Sequence, residues 1–85
     1  MKDREEIYKR MLIQALNTLR PMPKDADVIT NHLSWPCRLH DVDDKLEGLE
    51  AARENNKEQF GTLRFEIRED PKTDGCEIII WNQEK

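Results

Sequence analysis

The sequence predicts an α+β fold in which three helices precede a C-terminal antiparallel β-hairpin. Three observations point there: an amphipathic run near the N-terminus halted by prolines, an acidic capping cluster ahead of a second apolar stripe, and a late switch to strict alternation. With 85 residues the chain is expected to form a single small domain over 1–85. A domain of this size buries only about 60–65% of the surface its unfolded chain exposes, so it is marginal and has little room for a deep cavity.

The first helix is expected over about 3–20. Ile7, Met11, Leu12, Ala15, Leu16 and Leu19 fall on one helical face, while Lys2, Glu5, Glu6, Lys9, Arg10 and Gln14 supply the wet one. Pro21 and Pro23 end it, because proline lacks the amide and disfavours helix at the residue before it.

The second helix is expected over about 25–35. Asp25 or Asp27 caps its start, Val28, Ile29, His32 and Leu33 share a face, and Trp35-Pro36 closes it. The β-branched run Val28-Ile29-Thr30 leaves a strand as the alternative. The third helix is expected over about 41–55, with Asp41 as N-cap and Asp43 and Asp44 in the first turn, where the helix dipole favours negative charge. Val42, Leu46 and Leu49 form its apolar stripe.

From Gly61 the period becomes two. Leu63, Phe65 and Ile67 alternate with Arg64, Glu66 and Arg68, the turn formers Asp70-Pro71-Lys72-Thr73-Asp74-Gly75 follow, and Cys76–Trp81 reads as the return strand. The hairpin is therefore placed at 62–68 and 76–82, with a short polar tail after Asn82. Leu12, Leu16, Val42, Leu46, Leu49, Phe65 and Ile78 are expected to form the core.

The stripe Val42-x3-Leu46-x2-Leu49, set between a short helix and a wing-like hairpin, resembles the third helix of the winged helix-turn-helix family. That resemblance implies a helix in the major groove offering Arg, Lys, Asn or Gln to bases. Here the exposed positions of that helix are Asp43, Asp44, Lys45, Glu47, Gly48 and Glu50. Residues 1–24 carry net +3, residues 25–50 net −5 and residues 51–85 net −2, for a total of −4. Phosphate contact supplies most non-specific affinity, so so negative a helix repels DNA.

No motif assigns chemistry. His32, Cys37, His40 and Cys76 are ligand types suited to zinc, but their spacing matches no standard finger, and no metal or cofactor is expected. The cluster Asp41, Asp43, Asp44 and Glu47 lacks the glycine and bidentate glutamate of a calcium loop and reads as helix capping plus a solvated face. Ser34 near His32 sits in no nucleophile motif, and three glycines form no phosphate loop, so an enzyme is not expected. Two cysteines make no disulfide-dense scaffold, and a Cys37–Cys76 bond is not expected in a reducing compartment. The charged N-terminus and the absence of a 20-residue apolar run lead to a cytoplasmic expectation with no membrane contact.

The apolar run Ile78–Trp81 carries the functional expectation. If Ile78 and Ile80 close the core, Ile79 and Trp81 point outward beside Arg64 and Arg68, which is the composition of an interface centre. The expected function is a small non-enzymatic protein-binding module of accessory or inhibitor type, a kind common among phage-encoded chains. Its partner-binding residues are Asp43, Asp44, Glu47 and Glu50 on the acidic helix, facing a basic partner, with Arg64, Arg68, Ile79 and Trp81 on the hairpin. A homodimer is a second possible partner arrangement. The alternative function is a winged-helix DNA-binding regulator using Lys2, Arg4, Lys9, Arg10, Arg20, Lys24, Arg64, Arg68 and Lys72.

Overall fold

The segment expected as a short second helix over 25–35 is no helix: residues 25–31 are irregular and a β-strand begins at His32, and this one change reorganises the fold. The computed structural model describes residues 2–69, 72 and 75–84. Its elements are α1 (Lys2–Thr18), β1 (His32–Arg38), α2 (Leu39–Asn55), the one-turn α3 (Lys57–Phe60), β2 (Leu63–Glu69) and β3 (Gly75–Asn82). All three strands join in one antiparallel sheet of order β1-β3-β2. The expected winged-helix-like order of three helices then a hairpin is thus corrected to a helix, a strand, a helical pair and two further strands. The support that a second helix lent to the winged-helix resemblance lapses with it.

The reason lies in the side-chain period. Leu33, Trp35 and Cys37 point to the core while His32, Ser34, Pro36 and Arg38 face out, a clean alternation. Pro36 is tolerated because β1 is an edge. The Gln83 N–H donates to the Thr62 carbonyl, which sets the phase of the ladder: residues 77, 79 and 81 turn their backbone groups to β2, and 76, 78 and 80 turn theirs to β1. Pro36, opposite Glu77, therefore aims its missing N–H away from the sheet. Asp25, Ala26 and Asp27 cap no helix; the Ala26 N–H donates to the Pro23 carbonyl in a turn, and Val28 is 66% exposed.

The expected α1 is present, but its buried stripe is Tyr8, Leu12, Ala15 and Leu19, and Ile7 stands 55% exposed. α2 starts two residues earlier than expected, directly from β1, so Asp41 is not the N-cap. It lies in the first turn, where its charge still favours the dipole. α2 buries Val42, Leu49 and Ala52, with Leu46 half-buried beside them. The hairpin strands pair as expected, and of their turn only Lys72 and Gly75 are among the described residues. Of the polar tail expected after Asn82, the described residues Gln83 and Glu84 are bonded to the fold: the Met22 N–H donates to the Asn82 carbonyl at 2.7 Å, and the Glu84 N–H donates to the Met22 carbonyl at 2.9 Å.

The helices cover one face of the sheet. Leu12, Leu49, Phe60, Leu63, Ile78 and Ile80 are fully buried there, each worth about 1.5–3 kcal/mol of hydrophobic stabilisation. Of the expected core, Leu12, Val42, Leu49 and Ile78 are buried, while Leu16, Leu46 and Phe65 lie half-buried at its margin. The slab measures 35 × 34 × 17 Å, room for one helical layer on one sheet.

Candidate functional site

The other face of the sheet carries no helix. Register places three rows across it: His32–Trp81–Arg64, Ser34–Ile79–Glu66 and Pro36–Glu77–Arg68. Ile79 points outward as expected yet is 0% exposed, which corrects the expectation of an exposed Ile79. That expectation assumed a two-stranded hairpin. With β1 added, β3 is the central strand and Ile79 is flanked on both sides, by Ser34 and by Glu66. Trp81 remains half-buried, between His32 and Arg64.

The polar groups around Trp81 are held in place. Arg64 Nη1 donates to the Gly61 carbonyl at 2.7 Å and to the Leu63 carbonyl at 3.1 Å. Ser34 Oγ donates to Glu77 Oε2 at 2.5 Å, and Arg68 Nε donates to Glu66 Oε2 at 3.4 Å. Arg64 also lines a shallow groove with Arg53, Glu54, Lys57 and Gly61. Arg53 is fixed by donating to the Leu63 carbonyl at 3.0 Å while lying 4.9 Å over the Phe65 ring. Lys57 pairs with Glu54 at 3.6 Å. The groove thus gathers three cations against one carboxylate, next to an aromatic anchor.

The expected partner-binding residues divide into two sets. Asp43, Asp44, Glu47 and Glu50 are exposed on α2, in the helical layer. Arg64, Arg68, Ile79 and Trp81 lie on the bare face of the sheet. The fold places the two sets on different layers of the molecule. The groove residues Arg53 and Lys57 went unnoticed in the sequence, because only the short α3 carries Lys57 back beside Arg64.

The four zinc-type residues do not converge. His32 faces out from the sheet while Cys37 faces in, and His40 sits exposed beside Asp41 at 3.4 Å. Among the described residues no three His, Cys, Asp or Glu side chains group to hold a metal ion. The Ser34 hydroxyl donates to the Glu77 carboxylate and not to His32. Among the described residues no helix is long and apolar enough to cross a membrane. No protein family, curated protein or solved structure matches this chain.

Proposed function

We propose that the chain is a non-enzymatic protein-binding module whose docking surface is the bare sheet face around Trp81. The observation that carries this reading is the row His32–Trp81–Arg64, in which a half-buried Trp stands on an otherwise open face beside an arginine pinned to two carbonyls. Trp and Arg dominate the energetics of protein interfaces, and an arginine already held in one geometry loses less entropy on binding. The adjoining Arg53–Lys57–Arg64 groove sets the partner's chemistry: a protein segment with an apolar side chain for Trp81 and a neighbouring carboxylate for the groove. On this reading the acidic α2 face is a solvated helix surface and not the contact. A cytosolic location belongs to the same reading.

The test is capture of binding proteins from the native host on immobilised wild-type, Trp81→Ala and Arg64→Ala chains, followed by affinity measurement with the captured partner. Trp81→Ala is expected to weaken binding at least tenfold, on the order of 1–2 kcal/mol, with little change in stability. The Arg64→Ala variant is expected to lower both the affinity and its salt dependence. A partner held equally by all three chains removes the proposed surface. Salt-sensitive binding of duplex DNA, with no protein captured, favours the regulator instead.

A further inference from the structure

Cys37 and Cys76 stand directly opposite each other in the β1–β3 ladder, on its helix-covered side, with their sulfurs 3.4 Å apart. Both are thiols. The ladder phase set by Gln83 and Thr62 makes them a hydrogen-bonded pair, whose Cα atoms lie about 5.5 Å apart in an antiparallel sheet. That Cα spacing is within the range a disulfide spans. They are the two cysteines of the chain.

We propose that Cys37 and Cys76 form a covalent-modification site, closed into a reversible cross-strand disulfide by exchange with a small-molecule disulfide. The sulfur of Cys37, the more accessible of the two, gives up its proton and attacks one sulfur of the small disulfide. The S–S bond of that reagent breaks, and the released thiolate takes up the proton. Cys76 then loses its proton and attacks the Cys37 sulfur of the mixed disulfide, releasing a second small thiol that takes up that proton. The protein dithiol is oxidised by two electrons, and one small disulfide is reduced to two thiols.

Two features shape the behaviour of this pair. Burial, the hydrogen bond to Cys76 and the charge of Cys76 together raise the Cys37 thiol to about 11, with Lys45 lowering it and Asp41 raising it to a lesser degree. Thiolate is therefore scarce at neutral pH and exchange is slow. Cβ atoms of a hydrogen-bonded pair sit further apart than a disulfide allows, so the bond draws the strands together and is the more easily reduced for it. Once formed, it fastens the edge strand that carries His32 and Ser34 to the central strand that carries Trp81.

The experiment incubates the folded full chain with defined ratios of oxidised and reduced glutathione. The expected product is a monomer lighter by two hydrogens, with the Cys37 and Cys76 peptides joined, melting on the order of 10 °C above the reduced chain and restored by dithiothreitol. The Cys76→Ser chain is expected to end as a single glutathione adduct on Cys37, and the Cys37→Ser chain, left with only the buried Cys76, to stay largely unmodified. Stable glutathione adducts on the wild-type chain, disulfide-linked dimers, or a link that forms only in denaturant would each overturn the proposal. The wild-type product decides the matter even where a serine variant fails to fold.

Discussion

Gly48 lies under the ring of Tyr8: a Cβ at that position would overlap Cδ2, Cε2 and Cζ of the tyrosine. Tyr8 in turn meets Trp35 with ring centroids 5.9 Å apart, and the Lys45 ammonium lies 5.1 Å over the same indole. One small residue thus sets how closely α1 approaches α2. Gly48→Ala gains about 1 kcal/mol of helix propensity but must displace a packed ring, a cost of about 1–3 kcal/mol. Chemical denaturation is expected to show a net loss of about 1 kcal/mol, turning into a gain when Tyr8→Ala is present as well. The sequence showed an amphipathic first helix but centred its stripe on Ile7, because Tyr8 reads as a surface residue until the gap above Gly48 is known. Cys37 supplies a second prediction at this scale. Its thiol is raised from the ordinary value near 9 to about 11 by burial first, so the fold favours the neutral form. The resulting stability is fully present below pH 9 and is lost as pH rises through 11. Thermal melts across that window are expected to fall more steeply for the wild-type chain than for Cys37→Ala.

Among the elements, β1 decides the architecture. The alternation of Leu33, Trp35 and Cys37 is masked in the sequence, where Trp35-Pro36 reads as a helix stop and the β-branched residues before it lie outside the strand. Only the sheet explains the proline: at an edge, with its nitrogen turned outward, it costs no ladder hydrogen bond. α2 and the hairpin were legible because each carries a single unambiguous period. The third strand also accounts for Ile79, whose burial no two-stranded hairpin provides. α2 itself offers a graded test. Leu49 is fully buried and Leu46 half-buried on the same helix, so Leu49→Ala is expected to cost about 2–4 kcal/mol and Leu46→Ala roughly half as much. Equal losses in urea titrations would show that α2 is rotated from the orientation described.

At the scale of the whole molecule, the two faces differ in chemistry. The α2 surface presents Asp43, Asp44, Glu47 and Glu50 to solvent, while the sheet face sets Arg64, Arg68, Glu66 and Glu77 in the rows around Trp81 and Ile79, and the groove at Arg64 adds Arg53 and Lys57 with Glu54. The ledger of charge along the sequence pointed to the acidic helix, since it cannot show which residues from distant segments share a face. The groove needed α3 and β2 folded together before it existed. The proposed functional contact is the sheet face and not the acidic helix. The measurement that tests it most directly is the affinity of the captured partner for Trp81→Ala beside that for the triple variant Asp43→Lys, Asp44→Lys, Glu47→Lys, both confirmed as folded by circular dichroism. The sheet-face reading predicts at least a tenfold loss for Trp81→Ala and an affinity within about twofold of wild type for the triple variant. The reverse pattern, with Trp81→Ala binding as the wild type does and the charge reversal abolishing binding, would contradict it.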